Sequence, residues 1–374
     1  MAKEKKNKDE SYKPDWVPDK AGEAFATKVL KGVSISEPDK QEAIKKTKKH
    51  ISIVDYVQGV LEGDRTILAR AITLIESNSH AHYEKAREVL KQLLPYSGKS
   101  LRIGITGFPG AGKSTLIESL GMYLIEKGHK VAVLAIDPSS TITKGSILGD
   151  KTRMENLSRQ ANCFIRPSPS SGTLGGVTRK SRETMLVCEA AGYDVILIET
   201  VGVGQSETTV RSMVDFFLLL MIAGAGDELQ GIKKGVIELA DAIYINKADG
   251  DNKPNALSAK TEFSMASKYI APATRGWNTK VNICSAITGE GISGLWDSIT
   301  EFKTLTTDNG AFEERRKNQM LEWTFTIINE YIKDSFYNNK VLQKEIANYR
   351  EKILAGEILP TTAAENLIKL YFSK

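Results

Sequence analysis

Apolar positions between about residues 40 and 95 recur at helical spacing. Two stripes stand out in DYVQGVLEGDRTILARAITLIES, one on Val57, Val60 and Leu61 and the next on Ile67, Leu68, Ile72 and Ile75. Gly63 and Asp64 lie between the stripes, and this pair is typical of a helix C-cap followed by an N-cap. The pattern therefore predicts successive amphipathic helices in this part of the chain.

Between about residues 100 and 305 the pattern changes to short, nearly continuous apolar runs. These runs are LRIGIT, VAVLAID, DVILIET, DFFLLLMI, DAIYINKAD and KVNICSA. Amphipathic or glycine-rich segments separate them, as crossover helices separate parallel strands that are buried on both faces. We predict a doubly wound, mostly parallel α/β domain.

Beyond residue 305 helical spacing returns, with an apolar stripe on Leu342, Ile346, Tyr349 and Ile353. Thr362 and Glu365 have the spacing of a capping box for a last helix. So apolar a segment must pack on the α/β domain or on a second subunit, and we expect truncation at residue 311 to leave the α/β domain folded. The predicted organisation is a polar flexible arm over 1–37, a helical segment over 38–98, the α/β domain over 99–305 and a C-terminal helical dimerisation arm over 306–374.

Composition narrows the class of protein. The 51 Lys and Arg residues nearly balance the 46 Asp and Glu residues, giving a net charge of +5, so nothing suggests the concentrated basic face of a nucleic-acid-binding protein. The three cysteines (Cys163, Cys188 and Cys284) lie far apart, without metal or disulfide spacing, which favours a reducing compartment.

No targeting or membrane segment is expected. The lysine-rich start also carries acidic residues and lacks an apolar core, unlike a signal or transit peptide. The run FFLLLMIAGAG is far shorter than the roughly 20 residues of a membrane helix. The sequence therefore predicts a cytoplasmic protein without a membrane partner.

The stretch GITGFPGAGKST carries the phosphate-binding pattern Gly107-x-x-x-x-Gly112-Lys113-Ser114 between a predicted strand and a predicted helix. The glycines let backbone N–H groups converge on phosphate oxygens at a helix N-terminus. Lys113 would reach the β- and γ-phosphates, and Ser114 would bind magnesium. The residues expected to line the phosphates are Gly107, Pro109, Gly110, Ala111, Gly112, Lys113, Ser114 and Thr115.

Two further elements predict that the base is guanine. The sequence Asn246-Lys247-Ala248-Asp249 follows one predicted strand, and Ser285-Ala286 follows the next. A carboxylate at Asp249 can accept hydrogen bonds from N1 and N2 of guanine, whereas adenine lacks this pair of donors. The lysine stem would cover the ring. The expected base-site residues are Asn246, Lys247, Asp249, Ser285, Ala286 and Ile287.

Acidic residues close two predicted strands at the edge where doubly wound folds bind ligands. Asp137 ends VAVLAID and is the better candidate for magnesium. Glu199 begins ETVG, which stands where many GTPases have DxxG. Glu199 could hold a magnesium-bound water or orient the attacking one, and the Gly202 N–H would face the γ-phosphate.

These residues, in this order, resemble the MeaB/ArgK-type P-loop GTPases. The matching stretches are GFPGAGKST, AIDPSS, GSILGDKTRM, SPSSGTLGGVTRKSRE, IETVGVGQSE, GAGDELQGIKKG and NKADGDN. The resemblance implies a GTP-dependent chaperone, active with GTP/GDP and Mg²⁺, that gates loading of adenosylcobalamin into an acyl-CoA mutase and protects or reactivates that mutase. It also implies a homodimer held largely by the C-terminal arm, and leaves a cobalamin adenosyltransferase open as a further partner.

Carried onto this sequence, the resemblance implies that Asp137, Asp150 and Glu199 serve magnesium binding and hydrolysis. It makes GAGDELQGIKKG a switch loop in which Asp227 and Lys233 couple the nucleotide state to the mutase. The predicted catalytic set is therefore Lys113, Glu199, Asp227 and Lys233, and adenosylcobalamin enters only through the partner.

Several alternatives remain open at this point. The charges of residues 227–234 could form a solvated turn, and SGTLGGVTRKSRE could be a flexible connection rather than a switch. The whole chain could be a metal-insertion GTPase, a kinase of a periplasmic amino-acid transport system, or an assembly factor that binds GTP with almost no turnover. Methylmalonyl-CoA, isobutyryl-CoA and ethylmalonyl-CoA mutases are all possible partners, with methylmalonyl-CoA mutase favoured.

Overall fold

The computed structural model describes residues 51–77, 79–136, 154–167, 174–200, 206–224 and 234–373. Asp137, Asp150, Gly202, Asp227, Lys233 and the predicted arm over 1–37 lie outside these ranges, so their predicted roles are not described structurally. None of the helices within these ranges is long and apolar enough to cross a bilayer.

The described chain begins with three helices, α1 (Ile53–Leu61), α2 (Arg65–Glu76) and α3 (His80–Leu93). The turn predicted between the first two is confirmed: Gly63 has a φ of 76°, and Asp64 caps α2 by accepting from the Thr66 and Ile67 amides at 2.7 and 3.1 Å. Their apolar faces pack on one side of the sheet described next.

Seven strands of the described residues form one parallel sheet in the order β3-β2-β4-β1-β5-β6-β7. In chain order the elements are β1 (Leu101–Gly107), α4 (Lys113–Glu126), β2 (Val131–Ile136), α5 (Glu155–Ser158), β3 (Cys163–Pro167), α6 (Leu174–Ala190), β4 (Val195–Thr200), α7 (Ser206–Arg211), β5 (Phe216–Ile222), α8 (Lys234–Leu239), β6 (Ala242–Asn246), α9 (Lys253–Ser267) and β7 (Lys280–Ile283). The six apolar runs predicted as strands are all confirmed.

The edge strand β3 was missed by the sequence reasoning. Its sequence CFIRP contains an arginine and ends in proline, so it lacks the continuous apolar run that marks the other strands. An edge strand tolerates both residues because only one of its sides pairs with a neighbour, here β2.

Both faces of the sheet are covered by core. Helices α4 and α5 lie on one face, and α1–α3, α6 and α7 cover the other. A third apolar cluster forms where α8 and α9 pack on β5–β7. This burial on both sides explains why the central strands read as unbroken apolar runs.

The chain ends in α10 (Ile292–Asp308), α11 (Ala311–Tyr337), α12 (Lys340–Leu354) and α13 (Pro360–Phe372). The predicted capping box is wrong: Leu359 is the N-cap of α13, without a side-chain bond, and Thr362 lies inside the helix. Proline is favoured at the first helical position because its fixed φ suits the helix and its missing N–H is not needed there. Pro360 therefore sets the start of α13 ahead of Thr362.

The first turns of α11 belong to the body of the α/β domain. Phe312 joins the core beneath α4 and α10. Arg316 donates from Nε and Nη2 to the two carboxylate oxygens of Asp215 at 2.8 and 2.7 Å, and Gln319 donates to the Val214 carbonyl at 2.8 Å. The expectation that truncation at residue 311 leaves the domain intact stays a prediction, but these contacts argue against it, because the cut removes the ion-pair partner of the buried Asp215 carboxylate.

Candidate nucleotide-binding site

The phosphate loop leaves the sheet at the end of β1, which lies between β4 and β5. Two glycines are required there by the space available. Gly107 has a φ of 151°, and a Cβ on it would lie 2.2 Å from the Leu220 carbonyl oxygen of β5. Gly112 has a φ of 89°, and its Cβ would lie 2.6 Å from Nδ2 of Asn246. The loop can take this path only with glycine at both positions.

Lys113 is the first residue of α4, and its side chain folds back over the loop. Its Nζ donates to the carbonyl oxygens of Gly107 and Phe108, at 2.9 Å each. Burial lowers the pKa of Lys113, while the carboxylates of Glu199 and Glu207 partly oppose that shift. Among the described residues, the buried ammonium bonds two neutral carbonyl oxygens, and it is well placed to exchange them for anionic phosphate oxygens.

Ser114 and Glu199 come together although 85 positions separate them. The Ser114 hydroxyl donates to Oε1 of Glu199 at 2.9 Å, because β4 pairs with β1 and places Glu199 opposite Ile105. Next to them, the Thr200 hydroxyl donates to that of Thr106 at 2.9 Å. A hydroxyl and a carboxylate are oxygen ligands of the kind that Mg²⁺ prefers, so this pair fits the implied metal.

Asn246, at the end of β6, joins the phosphate loop to the segment after β7. Its amide donates to the Ala111 carbonyl at 2.8 Å, and its Oδ1 accepts from the Ala286 N–H at 3.0 Å. Cys284 adds a weak contact from its thiol to the same Oδ1, 3.7 Å away. The sequence reasoning missed this role of Cys284, whose position two residues before Ala286 was the only available signal.

Asp249 is held by the second base element. The Ser285 hydroxyl donates to Oδ2 of Asp249, and the Thr288 N–H donates to the Ser285 oxygen at 3.2 Å. Lys247 is exposed with a φ of 58°, in the left-handed region that non-glycine residues rarely adopt. Ile287 is also exposed at this edge. Asp249, Lys247 and Ile287 therefore border one surface beside the phosphate loop, while their roles in binding the base stay predictions.

The described part of the predicted site thus lies at the carboxyl edge of one parallel sheet. The central strand β1 runs into a loop that requires glycine at two positions and ends in Lys113 and Ser114. The NKxD element lies at the end of β6, and the SA element follows β7. This fold and site define a P-loop GTPase.

The particular family is shown by comparison with known proteins. The model of the family described as methylmalonyl Co-A mutase-associated GTPase MeaB matches residues 68–341, and the chain belongs to this family. The matched range contains the phosphate loop, both base elements and all of α11.

Relatives and solved structures agree with this assignment. The GTPase ArgK of Escherichia coli is 47% identical over 81% of this chain and 91% of its own length. The mitochondrial methylmalonic aciduria type A homolog of Mus musculus is 45% identical over 84% of this chain and 79% of its own. A crystal structure described as LAO/AO transport system kinase superposes with a TM-score of 0.69 at 38% identity, covering 85% of this chain and 97% of that one.

The metal-insertion alternative gains no support from the side chains. Within the described ranges, no group of three or more His, Cys, Asp or Glu residues could hold a metal ion. All three cysteines are buried, and burial raises the thiol pKa of Cys163 and Cys284 to about 12, so these side chains are poor thiolate ligands.

Proposed function

We propose that this P-loop GTPase is a chaperone of a B12-dependent acyl-CoA mutase, with methylmalonyl-CoA mutase as the favoured partner. In this role GTP hydrolysis gates delivery of adenosylcobalamin to the mutase and protects or reactivates it in the cytoplasm. The observation that carries the proposal is the match to a mutase-associated GTPase family over residues 68–341, with the described P-loop and guanine elements inside it.

The chemistry follows from the residues at the carboxyl edge. Lys113 exchanges its two carbonyl partners for the β- and γ-phosphate oxygens. Glu199 orients water near the γ-phosphate, and its bond to Ser114 fixes the direction of the carboxylate. Asp249, oriented by Ser285, accepts the guanine N1 and N2 hydrogens. Bound magnesium would neutralise phosphate charge, held by Ser114 with Asp137, Asp150 or Glu199.

The proposal includes a homodimer formed through the C-terminal arm. Beyond Gln319, the helix α11 exposes a row of large apolar side chains to solvent. These side chains are Met320, Leu321, Phe325, Ile328, Tyr331 and Ile332. A contiguous apolar patch of this kind marks a protein interface more often than a free surface. Its position on the segment predicted for dimerisation supports a second copy as the occupant.

The mutase is expected to act through the loop of Asp227 and Lys233. A partner changes the hydrolysis rate only if it favours one conformation of the loop through differential contacts. Lys233 would approach the nucleotide only when the bound mutase orders the loop. Its loss should therefore be visible in the stimulated rate and not in the intrinsic one.

The decisive experiment compares intrinsic and mutase-stimulated GTP hydrolysis of Lys233→Ala, using purified methylmalonyl-CoA mutase. We expect the intrinsic rate to stay within about twofold, and the stimulated rate to fall about 5- to 150-fold, the range of ordinary coupling energies. Lys303→Ala, an exposed lysine on α10, is the matched control and should behave as wild type. A wild-type chain that this mutase neither binds nor stimulates would contradict the choice of partner.

The kinase alternative has one observation in its favour, the description of the superposed structure as a transport system kinase. A kinase transfers the γ-phosphoryl group to a protein, whereas the proposed chaperone transfers it to water. Following labelled γ-phosphate separates the two: release as inorganic phosphate supports hydrolysis, and retention on a protein acceptor supports the kinase.

A further inference from the structure

Two helices that follow predicted nucleotide-responsive segments converge on the base of the C-terminal arm. Helix α7 begins at Ser206, shortly after the ETVG element that starts at Glu199. Helix α6 begins at Leu174, inside the SPSSGTLGGVTRKSRE stretch. Both helices pack on the face of the sheet opposite α4, and α6 contacts α11 directly. Their meeting point is a single buried side chain of α6.

That side chain is Arg182, of which only 6% is exposed. Its Nη1 donates to the Gln319 carbonyl of α11 at 2.9 Å, and its Nη2 donates to the Ser212 carbonyl and hydroxyl, just after α7, at 2.7 and 2.8 Å. The guanidinium also lies 5.8 Å from the centre of the Trp323 ring. Burial lowers the pKa of Arg182 to about 10, so it stays charged at neutral pH. One cation thus bonds three helical regions at once.

Beside this link, α7 and α11 face each other across an open groove. A solvent-open groove of about 520 Å³ separates Thr208 and Ser212 on the α7 side from Asn318 and Glu322 on α11. Because this groove is open to solvent and Thr208, Asn318 and Glu322 are exposed, no close packing holds α7 against the arm there, which leaves α7 room to shift. A shift of α7 must then either stretch the bonds of Arg182 or carry α11 with it.

A second and longer link between the two helices runs beside this groove, through the buried Asp241. Arg211 of α7 and Arg315 of α11 approach the buried carboxylate of Asp241 at 3.4 and 3.5 Å. Charge-assisted hydrogen bonds are normally about 2.7–2.9 Å long, so Arg211, which reaches Asp241 at 3.4 Å and Thr274 at 3.3 Å, holds α7 less firmly than Arg182 does. Removing Arg182 should therefore weaken the connection strongly without abolishing it.

The arm leaves the body of the domain at this point. Before Gln319, α11 is fixed to the sheet by Arg316 and Phe312, whereas after it the helix is largely exposed. A contact at Gln319 and Trp323 therefore lies at the pivot of the arm, where a small displacement changes the direction of the whole exposed segment.

We propose that Arg182 is a positioning residue that transmits the nucleotide state from α6 and α7 to the C-terminal arm. The nucleotide would change the direction or mobility of residues 320–337, and with it the surface offered to a second subunit. This inference rests on the GTPase class of the chain and not on the identity of the mutase, so it can fail or hold independently of the chaperone proposal.

The test is hydrogen exchange of the full chain bound to GDP or to a non-hydrolysable GTP analogue, each with magnesium. In wild type, amides within residues 320–337 should exchange at rates that differ about 5-fold or more between the two nucleotides, the lower end of ordinary couplings. In Arg182→Met this difference should shrink to within about twofold, while affinity for both nucleotides stays near wild type. Equal exchange in the two wild-type forms would overturn the inference.

Two further variants keep the result interpretable. Arg182→Lys retains the charge but has one nitrogen in place of a fork, so it cannot bond Gln319 and Ser212 in the same way. If the methionine variant does not fold, the lysine variant should still fold, and it should also lose the difference in exchange rate between the two nucleotides. A lysine variant that keeps the full difference would rule out Arg182 as the link. Arg275→Gln is the control, because Arg275 pairs with Glu314 of α11 and makes no described contact with α6 or α7. It should retain the wild-type response.

Discussion

Asn246 has a structural role at the nucleotide site, because it connects two loops. It is 2% exposed, and its amide group is bonded to Ala111 on one side and to Ala286 and Cys284 on the other. Its contribution is therefore to fix the spacing between the phosphate loop and the base loop. Asp249 is partly exposed beside it, and we predict that this carboxylate binds the base.

Guanine specificity is tested by Asp249→Asn. We expect GTP affinity to fall by one to two decades, since an unpaired buried polar group costs about 1–3 kcal/mol. Affinity for xanthosine triphosphate should rise, because xanthine presents an acceptor where guanine has its amino donor. Equilibrium binding of both nucleotides measures the change, and unchanged GTP binding would remove Asp249 from the base site.

The predicted roles of Glu199 and Lys113 can be distinguished by measuring GTP affinity and the hydrolysis rate of their variants. Glu199→Ala should bind GTP with near wild-type affinity and hydrolyse it about 10²–10⁴-fold more slowly, the usual effect of losing a group that orients a proton transfer.

Lys113→Ala should lose affinity for GTP as well as hydrolysis rate, because its charge is expected to pair with phosphate in the ground state. Nucleotide binding and single-turnover hydrolysis distinguish these outcomes. An equal loss of affinity and rate in the Glu199 variant would indicate a magnesium ligand instead.

The first and last thirds of helix α11 differ in how well their polar side chains are hydrogen-bonded. Its first third is joined to the sheet by Arg315, Arg316 and Gln319, whereas its last third carries Glu330 opposite Arg179 and Glu183 of α6. One oxygen of Glu330 is buried without a hydrogen-bond partner. The helix is thus tightly bonded at its base and imperfectly matched to α6 further out.

That mismatch predicts a pH dependence of stability. Burial raises the pKa of Glu330, with Asp334 and Glu183 acting in the same direction and Arg179 and Lys333 opposing it. A raised pKa means that the protonated form is favoured by folding, so its stabilisation is lost as pH rises through the folded-state pKa. Glu330→Gln should therefore raise the Tm at pH 7, and the gain should vanish near about pH 3, below the pKa of about 4.3 of an unfolded glutamate, where the side chain is protonated in both states.

Thermal unfolding of the two proteins between these pH values measures the effect. Glu365→Gln, an exposed position on α13, is the control and should leave the Tm unchanged. A Glu330→Gln variant that is less stable than wild type at pH 7 would mean that the pairing with Arg179 outweighs burial.

At the scale of the whole molecule, a GTPase domain is joined to a C-terminal arm, and α11 of this arm exposes a row of large apolar side chains. A chain ending at residue 310 should fail to fold stably, because Asp215 is 1% exposed and loses Arg316. Breaking such a buried pair costs about 3–5 kcal/mol. A chain ending at residue 324 keeps Arg316, Gln319 and Trp323 and loses most of the exposed row.

We expect the chain ending at residue 324 to bind GTP as a monomer, and the full chain to be a dimer. Light scattering and nucleotide binding of the two truncated chains and the full chain check this prediction. A dimer that persists in the chain ending at 324 would place the interface outside the arm.

Features that depend on neighbouring residues could be predicted from the sequence. Six strands followed from unbroken apolar runs, the α1–α2 turn from Gly63 and Asp64, and the P-loop from glycine spacing, because these signals are local. The pairing of Ser114 with Glu199 and the bond from Asn246 to Ala111 needed the strand order, which brings distant positions to one sheet edge. Tertiary structure alone decided that β3 is a strand, that α11 begins inside the core, and that Arg182 joins three helical regions. In each case long-range pairing of buried polar groups overrides the local pattern, and no spacing in the sequence records such a pairing.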